Sequence, residues 1–236
     1  MAALAIDQST RDNELRQLSV TFETEAPQEV LRWAVEEFGN EVALATGFGA
    51  EGCVLVHMLA QIHPDVRMFY LDTDLLFAET YALRHELEQK YGVRFERRTA
   101  QLSLNSQSIQ YGDKLWETHP DQCCSLRKVE PLREILGELN AWITAIRRDQ
   151  TPARASAGIV EQDRKFALIK INPLANWSSI DVWDYIVKYD IPYNPLHDGG
   201  YTSIGCRPCT SAVQTGEEPR AGRWRGACKT ECGLHQ

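Results

Sequence analysis

Short, continuous hydrophobic blocks alternate along this chain with amphipathic stretches of helical length. The apolar runs at 42–46 and 66–71, with a weaker one at 93–97, are typical of strands buried on both faces of a sheet. Helical spacing covers the intervening segments at 53–62 and 75–91, and also 29–38 before the first strand. The pattern predicts strand–helix–strand–helix–strand.

The second half of the chain is less regular. Residues 117–139 have a mostly helical pattern that is broken at Pro120 and Pro131, and strands are predicted at 141–146 and 166–171. Ser178-Ser-Ile-Asp181 is a capping box that predicts a helix running to about Val187. From Pro192 onward the sequence is rich in Gly, Pro and Arg without periodicity.

Alternating strands and helices with short connections predict an α/β fold, in which a parallel sheet with right-handed crossovers is flanked by helices. Ligands bind such sheets at the carboxyl ends of the strands. The loops 47–52, 72–74 and 147–154 all follow predicted strands, so we expect them at one edge. Asp72 and Asp74 in the second loop can cap the next helix or receive ribose hydroxyls.

Composition narrows the class of protein. The chain has 236 residues, 43% of them hydrophobic, and a formal net charge of −8, which argues against a general nucleic-acid binder. Residues 1–12 lack a signal-peptide pattern, and the apolar stretch 42–60 contains Glu51 and His57, too polar for a membrane span. We therefore predict a cytoplasmic protein without a nucleic-acid or membrane partner. The oligomeric state, a homo-oligomer included, stays open.

Two loops have the composition of an anion site. Thr46-Gly-Phe-Gly-Ala-Glu-Gly52 resembles a phosphate-cradling turn between strand and helix, although a simple tight turn explains it slightly better. Arg147, Arg148 and Arg154 place three guanidiniums within eight residues, with Asp149 as the nearby acid. Such a loop is either an anion-binding loop or a solvated basic loop.

Seven cysteines, an odd number without an export signal, favour metal binding or thiol chemistry over a disulfide framework. Cys123-Cys124 and Cys206-Arg-Pro-Cys209 together offer four thiolates. Zinc and a [4Fe–4S] cluster both use four, but adjacent cysteines suit separate iron corners better than one tetrahedral zinc. The alternative is a buried pair with a redox C-x-x-C, which is disfavoured because Cys206 lies in a Gly/Pro-rich loop.

Cys232 lies four residues from the end of the chain, in Lys229-Thr-Glu-Cys-Gly-Leu-His235. Residues 219–236 contain four Lys or Arg against one acidic residue, and such surroundings favour a thiolate. A basic segment with a nucleophilic thiol suits an anionic electrophile. Cys228 is either a resolving thiol or incidental.

Together these motifs resemble the assimilatory phosphosulfate reductases, specifically the iron–sulfur branch that reduces adenylyl sulfate with thioredoxin. The resemblance extends from about Val42 to His235. Its most specific parts are Cys123-Cys-Ser-Leu-Arg-Lys128, Cys206-Arg-Pro-Cys209 and the segment around Cys232. Leu71-Asp-Thr73 and the arginine loop at 147–154 support it.

The resemblance implies an adenine nucleotide alpha hydrolase-like (ATP-pyrophosphatase-like) fold with a flexible C-terminal tail. Residues 1–28 are polar and acidic with little periodicity, which predicts an N-terminal arm, either loose or a short amphipathic helix. We expect a nucleotide-binding α/β domain at 29–205, and a cluster loop and catalytic tail at 206–236. Cys232 would attack the sulfonate sulfur, displace AMP and become an S-sulfocysteine, from which reduced thioredoxin would release sulfite. One [4Fe–4S] cluster per subunit would be held by Cys123, Cys124, Cys206 and Cys209. The implied substrate contacts are Thr46, Gly47, Leu71, Lys128, Arg148, Arg220 and Arg223.

Two positions depart from the family pattern. Asp74 stands where the family usually has Gly, and Cys228 is not part of the pattern. Asp tolerates unusual backbone angles, so we expect little effect at position 74. Cys228 leaves open a disulfide with Cys232.

Three alternatives remain. The same chemistry could act on 3′-phosphoadenylyl sulfate. An ATP-pyrophosphatase-type adenylating enzyme would need a Ser-Gly-Gly-x-Asp-Ser-type loop, where this chain has Thr46-Gly-Phe-Gly-Ala-Glu51. A zinc-binding or redox-sensing module is the third.

Overall fold

A six-stranded sheet forms the centre of the protein, in a computed structural model that describes residues 8–226, 229 and 231–234. The strand order is β3-β2-β1-β4-β6-β5. The strands are β1 (Val42–Ala45), β2 (Arg67–Asp72), β3 (Phe95–Thr99), β4 (Ala141–Ile143), β5 (Val160–Asp163) and β6 (Leu168–Ile171). All neighbouring pairs are parallel except β5, which runs antiparallel to β6 at the edge. The predicted α/β fold with a largely parallel sheet is confirmed.

Helices cover both faces of this sheet. They are α1 (Gln8–Phe22), α2 (Pro27–Phe38), α3 (Ala50–Ile62), α4 (Ala78–Tyr91), α5 (Leu104–Tyr111), α6 (Leu115–Thr118), α7 (Pro120–Cys124), α8 (Glu130–Leu136) and α9 (Ser179–Tyr189). Among the described residues, no helix is both long and apolar enough to cross a membrane.

The central strands are buried from both sides, which explains their continuous hydrophobic sequence. In β1, Leu44 joins the larger apolar cluster with α2 and α3, whereas Ala43 joins a smaller cluster with α8. In β2, Met68 and Phe69 divide in the same way. Because successive side chains of a strand point to opposite faces, each strand contributes to two cores.

The N-terminal segment forms a helix that packs on the edge of the sheet. The Ser19 hydroxyl of α1 accepts hydrogen bonds from the backbone N–H groups of Ile159 (2.8 Å) and Val160 (3.3 Å). Of the two structures expected for this segment, a loose arm or a short helix, the described residues from position 8 adopt the helix. The division into arm, domain and tail stays a prediction.

Several element boundaries differ from the predictions. Helix α3 begins at Ala50 rather than at 53, and α4 begins at Ala78 rather than at 75. Asp72 and Asp74 therefore do not cap α4: Asp72 instead accepts hydrogen bonds from the Asp74 N–H and from Tyr81. Strand β5 was not predicted, because its polar sequence pairs only at the sheet edge. The capping box at Ser178 is confirmed.

The helical stretch around Cys123 and Cys124 breaks just before Pro120, as predicted, but the predicted break at Pro131 is wrong. A π turn, Ser125–Val129, connects α7 to α8, and Pro131 lies in the first turn of α8. A first-turn proline lacks only an N–H that would have no helical partner. Single π turns inside helices occur frequently at functional sites.

Candidate active site

A cavity of about 250 Å³ opens at the carboxyl edge of the sheet. It is lined by residues that follow β1, β2 and β4 and by residues of the C-terminal segment. Seven of the eight residues predicted for catalysis or substrate binding line it: Thr46, Gly47, Leu71, Lys128, Arg220, Arg223 and Cys232. The topology thus brings together residues almost 190 positions apart in the chain, from 46 to 232.

The turn after β1 is anchored in the core by an aromatic side chain. Phe48 has a φ of 58°, and its ring is buried against Tyr70 and Phe95. Its N–H donates to the Thr46 hydroxyl at 3.0 Å. A non-glycine residue in the left-handed region is uncommon, and tertiary packing must hold it there. The Phe48 anchor thereby fixes the glycines on either side along the cavity.

The same turn packs closely on the start of α3. A Cβ on Gly52 would lie 2.6 Å from the Thr46 hydroxyl oxygen, so only glycine permits this approach. Gly49 provides no side-chain cap to α3. Uncapped N–H groups at a helix N-terminus favour an anion.

Arg147 and Arg154 of the arginine loop are paired with three carboxylates of the protein. Arg147 bonds Glu51 of α3 at 2.9 Å and also pairs with Asp149, while Gln150 donates to Glu51 at 3.0 Å. Arg154 bonds Glu231 at 2.9 Å. The anionic partners that the loop composition predicts are therefore largely supplied by the protein itself.

Arg148 is not brought to the cavity. Its guanidinium bonds Glu23, just beyond α1, and donates to the Ala157 carbonyl at 2.7 Å. This ion pair lowers the pKa of Glu23, chiefly through the hydrogen bond from Arg148. Arg148 as a substrate contact stays a prediction, and Gln150 and Arg154 of the same loop are the residues that line the cavity.

The cavity is positively charged. Among the described residues that line it, four are cationic, Lys128, Arg154, Arg220 and Arg223, and one is acidic, Glu51, which is already paired. The buried Nε atoms of Arg154 and Arg223 have no hydrogen-bond partner among the described residues. Buried donors of this kind normally meet an acceptor, and an anionic ligand would supply it.

Lys128 extends from the π turn toward several thiols. Burial by itself lowers the pKa of its ammonium, but the nearby Cys206, Cys232 and Cys124 outweigh burial and raise it. Lys128 therefore remains a cation, as a contact to an anionic ligand requires.

The four cysteines predicted as cluster ligands, Cys123, Cys124, Cys206 and Cys209, lie close together beside the cavity. Cys123, Cys124 and Cys206 are buried and Cys209 is half-buried, and none of the described cysteines forms a disulfide. Burial first, and then the thiols of the other three, raise the pKa of Cys123 to about 12. Burial and the neighbouring Cys206 raise the pKa of Cys209 to about 11.

Cys206 differs from the other three. Burial raises its pKa, but Lys128 and a contact with the Thr73 hydroxyl at 3.2 Å outweigh burial and lower it. The loop around it is tied to the end of β2, because the Arg207 N–H donates to the Leu75 carbonyl at 2.7 Å.

The donor set fits a polynuclear cluster in kind. Four soft thiols from two elements influence one another's ionisation, as the ligands of an iron–sulfur cluster would. Within the part of the chain that the structure describes, no three Cys, His, Asp or Glu side chains are grouped as a single metal ion requires.

Cys232, the predicted nucleophile near the end of the chain, lies at the cavity. Cys232 and Leu234 line it, and the Lys165 ammonium donates to the Gly233 carbonyl at 2.5 Å. Cys228 lies outside the described residues. Cys53, the remaining cysteine, is buried in α3, where burial raises its pKa.

Sequence reasoning did not single out Gln150, Gly205 or Glu231, and it did not separate Arg154 from its neighbours. One signal for Glu231 was available, because it immediately precedes Cys232 and is the one acid in the basic C-terminal segment. Gly205 has no signal beyond its place one residue before Cys206.

Comparison with known proteins shows the family of this chain. The family model described as the phosphoadenosine phosphosulfate reductase domain matches residues 41–212. An adenosine 5'-phosphosulfate reductase of Salinibacter ruber is 47% identical over 237 residues, covering 99% of this chain and 94% of that protein. Adenosine 5'-phosphosulfate reductase 1 of Bacillus subtilis is 44% identical over 223 residues, covering 92% and 96%. The chain therefore belongs to the phosphoadenosine phosphosulfate reductase family.

Solved structures support the same grouping. The phosphoadenylyl-sulfate reductase of Candida auris, solved as a phosphate complex, superposes with a TM-score of 0.75 at 33% identity, covering 90% of this chain and 100% of that one. The FMN adenylyltransferase of Candida glabrata superposes with a TM-score of 0.57 at 13% identity, covering 85% and 73%. The second likeness concerns the fold alone, and with the first it confirms the predicted adenine nucleotide alpha hydrolase-like class.

Proposed function

We propose that this protein reduces adenylyl sulfate to sulfite and AMP in assimilatory sulfate reduction. The observation that carries the proposal is the position of Cys232 in a cavity lined by four cations at the carboxyl edge of the sheet. The names of relatives 42–47% identical support adenylyl sulfate as the substrate. The phosphoadenylyl-sulfate reductase of Candida auris was solved as a phosphate complex, which supports an anionic ligand.

Cys232 is the nucleophile in this proposal. Its thiolate attacks the sulfur of the sulfonate group, the new S–S bond forms, and the bond from sulfur to the phosphate oxygen breaks to release AMP. Reduced thioredoxin, the proposed electron donor, then supplies two thiols: its disulfide forms as sulfite leaves and the Cys232 thiol is restored. The two electrons that reduce the substrate thus come from the thioredoxin dithiol.

The cations make the attack electrostatically feasible. A thiolate approaching a sulfonate brings two negative groups together, and Lys128, Arg220 and Arg223 would neutralise them. Arginine does so with directional paired hydrogen bonds. Thr46, Gly47 and Leu71 would contact the adenosine and phosphate from the strand ends.

The four paired cysteines would hold one [4Fe–4S] cluster per chain. When bound, it would keep Cys123, Cys124, Cys206 and Cys209 as thiolates and would connect the end of α7 to the loop that ends at Cys209. The contact of Lys128 with Cys206 would link that group to the cavity. A cytoplasmic location stays a prediction.

The test is turnover with matched substrates. Protein purified without air is given adenylyl sulfate or 3′-phosphoadenylyl sulfate at equal concentration with reduced thioredoxin, and sulfite and AMP are measured. We expect the wild type to produce sulfite from adenylyl sulfate and Cys232→Ser to produce none. Cys53→Ala is the cysteine control and should produce sulfite like the wild type. No sulfite from either nucleotide would refute the proposal.

A second substrate has one observation in its favour. The matching domain model and the Candida auris relative are both named for the 3′-phosphorylated nucleotide. Preferential turnover of 3′-phosphoadenylyl sulfate in the same assay would select it. Relatives named for adenylyl sulfate have the greater sequence identity to this chain, so 3′-phosphoadenylyl sulfate is the second choice of substrate.

A further inference from the structure

Glu231, the residue before the proposed nucleophile, is a buried carboxylate with both oxygens engaged. Its side chain is 5% exposed. Oε2 accepts from Arg154 at 2.9 Å and from Arg220 at 3.3 Å, and Oε1 accepts from the Thr151 hydroxyl at 3.2 Å. A carboxylate this buried is stable only when charged hydrogen-bond donors surround it.

Two of these partners, Thr151 and Arg154, belong to the loop after β4, about 80 residues before Glu231. Thr151 connects the 3₁₀ turns Arg148–Gln150 and Pro152–Arg154, and Arg154 ends the second of them. That loop is itself held to α3 by the Arg147–Glu51 pair. The Glu231 contacts therefore attach the C-terminal segment to the edge of the sheet.

The attachment holds the backbone on both sides of Cys232. Glu231 is fixed on the N-terminal side, and Lys165 binds the Gly233 carbonyl on the C-terminal side. Fixing both neighbours restricts where the sulfur of Cys232 can lie. A reacting group that is already held in a productive position loses less entropy when it reaches the transition state, so the reaction is faster.

We propose that Glu231 is a positioning residue that docks Cys232 over the cavity through Arg154 and Thr151. The proposal rests on the function proposed above, because it assigns Glu231 a role in the same reaction. Glu231 does not need to touch the substrate. Its effect is on the rate of the step in which Cys232 attacks.

The charge of Glu231 lets an experiment distinguish a positioning residue from a substrate-binding residue. Glu231 neutralises two of the four cations that line the cavity, Arg154 and Arg220. Removing its charge leaves the cavity more positive, so an anionic nucleotide should bind equally well or more tightly. The attack by Cys232 should nevertheless slow, because its backbone is no longer held. A substrate-binding residue would give the opposite result for binding.

The first experiment separates binding from attack. Affinity for adenylyl sulfate is measured in a Cys232→Ser background, where no covalent product forms, with and without Glu231→Gln. The rate of covalent labelling of Cys232 by sulfur-labelled adenylyl sulfate is measured in single turnover without thioredoxin. We expect Glu231→Gln to label about tenfold more slowly or worse, with affinity unchanged or increased.

Two further variants frame the result. Thr151→Val removes one donor to Glu231 outside the cavity lining and should show the same split more weakly. Glu217→Gln is the matched control: it removes a carboxylate that is paired with Arg225 in the same C-terminal region but away from the cavity. Glu217→Gln should label at the wild-type rate.

A second readout does not depend on the substrate. Iodoacetamide should alkylate Cys232 several-fold faster in Glu231→Gln than in the wild type, because the segment is no longer docked. Mass spectrometry measures this, since trypsin cleaves after Lys229 and so separates Cys232 from Cys228. Unchanged labelling and alkylation would overturn the proposal, as would a weakened affinity that alone explains slow labelling. If the wild type acquires no label, the proposed function fails, and the alkylation rates still decide whether Glu231 docks the segment.

Discussion

The guanidinium of Arg223 lies directly against the backbone of Gly205. A Cβ at position 205 would lie 2.3 Å from Nη2 and 2.6 Å from Cζ of Arg223. Arg223 also lies over the Trp224 ring, with its Cζ 4.4 Å from the centroid, and within 3.4 Å of the Ser203 hydroxyl. Glycine at 205 therefore makes room for a cation of the cavity.

Gly205→Ala should displace Arg223 without unfolding the protein. Gly205 does not adopt a left-handed conformation, so its backbone tolerates alanine, and the flexible guanidinium is what must move. Losing a charged hydrogen bond costs about 1.5–3 kcal/mol, so we expect affinity for adenylyl sulfate to fall about tenfold or more. Equilibrium binding in a Cys232→Ser background measures this.

Gly137→Ala provides the glycine control, because its Cβ would meet only ordinary contacts at the end of α8. It should bind like the parent protein. Wild-type affinity in Gly205→Ala would show that Arg223 contributes nothing to substrate binding.

The Arg147–Glu51 pair should contribute to stability. The Arg147 side chain is 8% exposed, and it connects the loop after β4 to the first turn of α3. Removing one partner of a buried pair leaves the other charge uncompensated, which costs about 3 kcal/mol. Arg147→Ala should therefore lower the free energy of unfolding by about that amount, as measured by urea denaturation.

Arg32→Ala is the comparison, since Arg32 and Glu29 form a half-exposed pair on α2. It should cost about 0.5 kcal/mol or less. Equal losses in the two variants would mean that burial of the Arg147–Glu51 pair is energetically unimportant.

The regular core could be predicted from the sequence, and the site only in part. Strands such as β1 and β2 are readable because burial on both faces demands unbroken apolar runs. Strand β5 is not, because Val160–Asp163 is polar and becomes a strand only by pairing with β6. Phe48 looks like part of a glycine loop until its ring meets Tyr70 and Phe95.

The contacts of the arginine loop, residues 147–154, could not be predicted from the local sequence. Arg148 and Arg154 are chemically identical, and their orientations follow from partners 125 and 77 residues away, Glu23 and Glu231. No local pattern encodes which guanidinium meets which acid. The grouping of Cys123, Cys124, Cys206 and Cys209 was easier to predict, because residue type and spacing restrict what such cysteines can bind.

His57 should make the protein less stable in mild acid. Burial first, and then Lys90, lowers its pKa, and the rings of Tyr91, Tyr185 and Tyr189 surround it. In the unfolded chain His57 takes up a proton near pH 6.5, whereas in the folded protein it resists until lower pH. Stability is therefore full above pH 6.5 and is lost as the pH falls toward the folded pKa.

Urea denaturation at pH 7.5 and 5.5 measures this loss. His57→Gln should reduce the difference between the two conditions, while exposed His85→Gln should leave it unchanged. Some difference should remain, because burial also lowers the pKa of His197. An identical pH dependence in His57→Gln would contradict the assignment.

Iron content should depend on four specific cysteines. Protein prepared without air should contain about four iron atoms per chain. Cys123→Ser, Cys124→Ser, Cys206→Ser and Cys209→Ser should each lose most of it, because each removes a thiol from the group beside Lys128. Iron analysis checks this.

Two cysteine variants should keep their iron. Cys53 is enclosed in α3 and Cys232 lies in the C-terminal segment, so Cys53→Ala and Cys232→Ser should match the wild type. Iron lost equally from all six variants would indicate general instability rather than a ligand set. An iron-free wild type would remove the cluster from the proposal.

The central claim is that Cys232 carries the sulfonate group during the reaction. The most direct measurement is incubation with adenylyl sulfate labelled in its sulfur, without any reductant, followed by counting of protein-bound label. We expect about one equivalent per chain, released by reduced thioredoxin, retained by Cys228→Ser and abolished by Cys232→Ser. Undiminished label on Cys232→Ser would contradict the account.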